Sequence, residues 1–168
     1  GPTTRWRGLV NDRDDTVTWR QLWAETTEVL GDRAAARWLC ETAGAFDEGE
    51  LLTSLDEPAS QRMVAHLDAM VARHRAGEPL QYTLGRWAFR HLDVLVDPRV
   101  LIPRPGTGIV VDVALAAVDR RAVTAVDLGT GSGAIGLSLA SELPLVGTTV
   151  WLTDVSADAL DVARANLA

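Results

Sequence analysis

Lysine is missing from this 168-residue chain; all 16 basic residues are arginines, spread from Arg5 to Arg164. A bias that holds at every basic position marks no single site and reads as codon composition. Cysteine is nearly absent as well. With Cys40 alone, no disulfide can close within the chain and no cysteine zinc cluster can form, so a reducing, cytoplasmic setting is the simplest reading. No apolar run reaches 18 residues, which excludes a membrane-spanning helix by length, and Arg5, Arg7 and Asp12 stand where a signal peptide needs an apolar core. Excess positive charge is lacking too: 23 acids outweigh the arginines, for a net −7 and a pI near 4.9. That excludes a protein that binds nucleic acid by neutralising phosphates over a broad surface. Residues 1–86 carry −4 and residues 87–168 carry −3, so recognition falls to specific contacts rather than to one charged patch.

What remains is ordinary globular material, 47% hydrophobic and 23% charged, enough for one domain or for one and part of another. Gly1-Pro2 reads as the remnant of a cleaved tag and takes no part in the fold. Residues 3–77 read as a helical domain. Thr18 and Gln21 form a capping box ahead of Trp19, Leu22, Trp23, Val29 and Leu30, and Gly31 suits the left-handed stop. Asp32 caps a second helix with Ala35, Trp38, Leu39 and Ala43 on one face, Cys40 as an inert core thiol and Gly44 as the stop. After a short turn around Glu48 to Leu52, Asp56-Glu57-Pro58 reads as the entry to a longer helix whose stripe is Met63, Val64, Leu67, Met70 and Val71, ended by Gly77. The expectation is a four-helix bundle with Trp19, Trp23 and Trp38 in its core.

Residues 78–98 read as a β-hairpin linker, with Leu80 to Leu84 extended, a turn at Gly85-Arg86, and Leu92, Val94 and Val96 alternating with polar neighbours until Pro98. Trp87 suits packing between domains. Residues 99–168 then alternate helix and strand: a helix from Gly106 to Asp119 burying Ile109, Val110, Val113, Ala114 and Ala117, a strand at 123–128, a helix at 134–143, a strand at 149–153 and a helix capped by Ser156. Such alternation predicts parallel strands. The fold class is therefore α/β, a small helical bundle followed by a hairpin and part of a Rossmann-like domain.

The chemistry concentrates where a strand, Val126 to Leu128, runs into Gly129-Thr130-Gly131-Ser132-Gly133 and then a helix. Glycines admit positive φ and let a ligand approach the main chain, while the helix start offers unpaired N–H groups to a negative group. Asp154 ends the second strand 23 residues beyond Gly131, where a carboxylate can accept both hydroxyls of a ribose. Two cofactors fit. Gly131 to Gly136 is a literal G-x-G-x-x-G for a nicotinamide or flavin dinucleotide, but it begins two residues late, because Gly129 already closes the strand. S-adenosylmethionine (SAM) has a carboxylate for the helix start and a ribose for Asp154, and an acid such as Asp127 before the first glycine is more typical of its sites. His66 and His74, eight residues apart, have no acidic or cysteine partner at metal spacing, so no metal site is expected.

Three motifs together resemble one family: Gly77-Glu78-Pro79-Leu80-Gln81-Tyr82-Thr83-Leu84-Gly85, Leu101-Ile102-Pro103-Arg104-Pro105, and Asp127 to Ile135. They are similar to the HemK/PrmC methyltransferases, which use SAM to methylate the side-chain amide of the glutamine in the Gly-Gly-Gln motif of class-1 peptide chain release factors. The resemblance runs from about residue 18 to the end. It implies that Gly129, Thr130, Gly131, Ser132 and Gly133 surround the methionine moiety of SAM, that Asp154 binds its ribose and that Asp127 shapes the loop. It further implies that the helical domain recognises the release factor; on charge and apolar-run length, no direct nucleic-acid or membrane partner is expected.

Two departures qualify it. The family continues Pro-Arg-Pro with acid, threonine, acid, whereas this chain has Gly106-Thr107-Gly108. The family's catalytic Asn-Pro-Pro-Tyr, which holds the substrate amide, is absent: Asn11 and Asn166 are the only asparagines and neither precedes proline. The sequence thus reads as the first part of a protein-glutamine N5-methyltransferase, inactive alone, with an unpaired sheet edge that invites self-association. The rivals are a fragment of a dinucleotide-dependent oxidoreductase and a non-catalytic partner-binding module.

Overall fold

A computed structural model describes residues 16–167 of the chain. The expectations placed on Gly1-Pro2, Arg5, Arg7, Asn11 and Asp12 lie outside the described residues. The described residues divide into two compact units, with the boundary between Leu84 and Gly85.

The first unit is helical. Strand β1 (Val17–Thr18) leads into α1 (Trp19–Leu30), followed by α2 (Arg33–Gly44), α3 (Glu50–Thr53), β2 (Pro58–Ala59), α4 (Gln61–Arg75) and α5 (Leu80–Leu84). Local signals set the first two helices as expected. Thr18 and Gln21 close the capping box, Gly31 ends α1 at φ 65°, and the Asp32 carboxylate accepts from the Ala34 and Ala35 amides. Trp19, Leu22, Leu39, Leu51, Leu67, Met70 and Val71 form the core with Cys40, and Phe46 meets the Trp19 ring edge-on at 5.0 Å.

Four expectations are corrected here. Trp38 is 41% exposed rather than in the core, and Trp23 is half-buried, its ring covered by the Arg33 guanidinium 4.0 Å away. Asp56 does not cap α4: Arg20, 36 residues distant, claims its carboxylate at 2.8 Å, Pro58 pairs with Thr18, and Ser60 caps the helix instead. Gly44 is the last residue of α2, and Ala45 takes the left-handed position at φ 53°. A side chain at Gly44 would lie 2.4 Å from the Phe46 ring, so the glycine serves packing, and the stop falls to its neighbour. Finally, Leu80 to Leu84 is helical, not extended, because the Pro79 carbonyl accepts from the Thr83 amide and both leucines, four apart, pack on the core.

The second unit opens with the expected hairpin, one turn later than expected: β3 (Arg86–Phe89) pairs antiparallel with β4 (Leu92–Leu95), turning through Arg90 and His91. A 3₁₀ turn (Pro105–Thr107) leads into α6 (Gly108–Ala117), and β5 (Thr124–Leu128), α7 (Ala134–Glu142), β6 (Thr149–Thr153) and α8 (Ala157–Leu167) complete the unit. β5 and β6 are parallel, with Val126 opposite Trp151 and Leu128 opposite Thr153. The architecture is α/β, the start of a Rossmann-like sheet. Leu152 and Asp127 face α7, whereas Val126 (54%), Leu128 (80%) and Trp151 (60%) stand exposed on the other face. In α6 the buried pair is Val111 and Leu115; Ile109, Val110 and Val113, expected inside, are exposed. Arg90 fastens the hairpin turn to the end of α7 through a bidentate contact with Glu142 at 2.7 and 2.8 Å, and also meets Asp112. No helix among the described residues is long and apolar enough to cross a membrane.

Candidate functional site

The parallel pair delivers Asp127 and Asp154 to the same end of the sheet, and the turn between β5 and α7 lies between them. Gly129, Gly131 and Gly133 all take positive φ, at 74°, 54° and 87°, which residues with side chains adopt only at a cost. Their surroundings divide their work. Nothing lies within 4 Å of a Cβ at Gly129 or Gly131, so the outer loop is open to an approaching group. A Cβ at Gly133 or Gly136 would come within about 3.0 Å of Leu137 or Leu152, so these two let α7 press onto β6.

The loop is held from within. The Gly129 and Thr130 amides donate to the Thr153 carbonyl at 2.9 and 2.8 Å, and the Gly133 amide donates to Thr130. Asp127 Oδ2 accepts from the Thr130 hydroxyl at 2.7 Å and from the Gly136 amide at 2.9 Å, and its carbonyl accepts from the Thr153 hydroxyl. Thr130 and Ser132 are buried, turned away from the open side. Asp154 Oδ2 accepts from the Gly131 amide and Oδ1 from the Ser156 amide, each at 2.9 Å. Those backbone donors, Ser156 first, hold the Asp154 carboxyl below the ordinary carboxylate range, so it is ionised at neutral pH. Each oxygen retains lone-pair capacity for an outside donor. Gly133 gives α7 no side-chain cap, and with the Gly136 amide taken by Asp127 it is the helix start ahead of Gly136 that faces a ligand.

The seven residues expected at the site, Asp127, Gly129, Thr130, Gly131, Ser132, Gly133 and Asp154, therefore converge. Asp127, Thr130 and Ser132 serve the inner side of the loop, while Gly129, Gly131 and Asp154 line its open side. Three participants were not foreseen. Thr153 receives two loop amides, Gly136 permits the helix–strand contact, and Asn166 of α8 donates to the Ser132 carbonyl at 2.9 Å. Gly136 stood in the literal G-x-G-x-x-G; Asn166 carried no signal, since its partners lie 34 and 71 residues away. The dinucleotide register fares poorly, because β5 ends at Leu128 and Gly131 comes three residues later.

A separate groove of about 410 Å³ runs between the hairpin and α6, lined by Trp87, Phe89, Arg90, Ile109 and Asp112. Its one cation, Arg90, is already held by two carboxylates, so the groove offers no free charge to a ligand.

Comparison with known proteins bears on both units. Residues 21–85 match a PrmC N-terminal domain and residues 105–168 match a methyltransferase small domain. A release factor glutamine methyltransferase of Burkholderia pseudomallei is 44% identical over 136 residues, 80% of this chain and 47% of its own length. Proteins of the same name from Moorella thermoacetica and Vibrio cholerae are 41% and 42% identical, over 77% and 79% of this chain and 44% and 45% of theirs. The chain spans about half the length of the curated relatives it matches. The resemblance to the HemK/PrmC family holds over both halves of the chain.

Proposed function

We propose that this chain, a relative of the release factor glutamine methyltransferases, carries the SAM-binding part of a protein methyltransferase that modifies the glutamine of the Gly-Gly-Gln motif in class-1 peptide chain release factors. The observation that carries this reading is the direct contact between the Asp154 carboxylate and the Gly131 amide, which joins a ribose-type acceptor to an open glycine loop.

The residues suit the cofactor. Asp154, ionised and fixed by two backbone amides, is placed to accept ribose hydroxyls with its remaining lone pairs. The uncapped start of α7 suits the methionine carboxylate, and the bare flanks of Gly129 and Gly131 leave the main chain open to contact. SAM when bound supplies an electrophilic methyl group on a sulfonium. Asp127 takes no direct part; it ties Thr130 to Gly136 and so keeps the loop closed on itself.

An amide nitrogen is a poor nucleophile, so such a reaction depends on alignment and on hydrogen bonds to the NH₂ group. No residue of this chain is assigned that task. We take the helical first unit as the release-factor-recognising module, with an acidic chain meeting its partner through specific contacts and without nucleic acid or membrane. The setting is the cytoplasm, where release factors act. The exposed Val126, Leu128 and Trp151 further favour association of the chain with itself.

Isothermal titration of the chain with SAM, with NAD and FAD as rivals, tests the cofactor. Saturable binding of SAM alone supports the reading. Dinucleotide binding without SAM binding overturns it.

A further inference from the structure

The hairpin and the glycine loop are joined by one side chain. Asn166, in the last turn of α8, uses its entire amide: Oδ1 accepts from the Leu95 amide at 2.6 Å, while Nδ2 donates to the Leu95 carbonyl at 3.1 Å and to the Ser132 carbonyl at 2.9 Å. The first two bonds imitate a strand partner for β4, and the third reaches the centre of Gly129-Thr130-Gly131-Ser132-Gly133. Ser132 is 2% exposed, so without Asn166 its carbonyl would be buried and unpaired.

We infer that Asn166 is a positioning residue for the cofactor loop, setting the tilt of the Ser132–Gly133 peptide and thus the direction of the amides at the start of α7. The Thr130–Gly131 peptide is fixed by Asp154 and the N–H end of the Ser132–Gly133 peptide by the Thr130 carbonyl, which leaves the Ser132 carbonyl as the end of that peptide whose direction α8 sets. Because the same side chain holds Leu95, strain in the hairpin reaches the loop. Arg90 repeats the connection at the other end of α7, so the hairpin is fastened to that helix at both ends.

This inference rests on the SAM reading, and the experiment separates the two. The whole chain is titrated with SAM as wild type, Asn166→Ala and Asn166→Asp, and amide exchange of Gly129, Gly131 and Gly133 is followed by NMR without ligand. Asn166→Asp keeps the volume and the acceptor for Leu95 but removes both donors. Positioning predicts that both variants weaken SAM binding by about tenfold or more, with faster exchange at Gly131 and Gly133 and unchanged exchange in α6. Wild-type affinity and loop protection in a folded Asn166→Asp variant overturn the inference and leave the cofactor reading standing. If the wild type binds no SAM, the cofactor reading fails, and the exchange data alone decide whether Asn166 orients the loop. Should Asn166→Ala not fold, Asn166→Asp carries the test.

Discussion

Replacing Gly136 with alanine should destabilise the second unit, against the ordinary expectation for a helix interior. Alanine there gains about 1 kcal/mol in helix propensity over glycine. The structure opposes that gain, because a Cβ at 136 would stand 3.0 Å from Leu152 Cγ, 3.1 Å from Asp127 Oδ2 and 3.2 Å from Asp127 Cβ. Asp127 is held by Thr130 and the Leu152 Cγ is rooted close to β6, so the few tenths of an ångström needed fall on α7, which lifts from β6. Overpacking of this kind costs about 1–3 kcal/mol. Lifting also stretches the 2.9 Å bond from the Gly136 amide to Asp127, and a hydrogen bond to a charged acceptor contributes roughly 1.5–3 kcal/mol. The balance is a net loss, about 1.5–5 kcal/mol if that bond is broken and less if it only stretches. Gly106 is the control: it has negative φ and nothing within 4 Å of a Cβ, so alanine there should be neutral or stabilise by up to about 1 kcal/mol. Urea unfolding followed by tryptophan fluorescence and far-UV circular dichroism compares the two variants. Equal stabilisation by both would refute the account of how α7 meets the sheet.

Three further outcomes are expected. The Arg90 guanidinium, raised above its ordinary pKa by its bonds to Glu142 and Asp112, holds Glu142 below its ordinary 4.5. Stability from that lowered carboxyl is present above the unfolded-state value and lost as pH falls through the folded one, so Arg90→Met should flatten the loss of stability below about pH 4.5; an unchanged acid unfolding profile would speak against the pair. Burial pushes the Cys40 thiol up to about 12, so a disulfide reagent at pH 8 should label it only at the rate of unfolding, and prompt labelling of the native chain would contradict its place in the core. Trp151→Ser should reduce self-association in sedimentation experiments, whereas a monomeric parent chain would remove that proposal.

The elements legible in the sequence were those whose causes lie within a few residues. Thr18, Gly31 and Asp32 do their work inside one helical turn, and the strand, glycine turn and helix from Thr124 to Glu142 are dictated by their own backbone needs. Misreadings arose where a distant partner intervened. Arg20 took Asp56 from its expected cap, and the Phe46 ring gave Gly44 a packing role that a stop signal hides. Periodicity identifies apolar faces but not what each face meets, so it assigns Trp38, Ile109 and Val113 to the interior although they stand exposed. In the candidate site, the nearness of Gly129, Gly131 and Asp154 is legible from motif and spacing, whereas the bond from Asn166 to Ser132 spans 34 residues of chain and leaves no local mark.

The central claim is that Asp154 and the glycine loop form an S-adenosyl site. Calorimetric titration of the chain and its Asp154→Ala variant with SAM tests it most directly. The account predicts saturable binding by the parent chain and at least tenfold weaker binding by the variant, since two ribose hydroxyls lose a charged acceptor. Equal affinity of a folded variant, or binding of NAD in place of SAM, would contradict it.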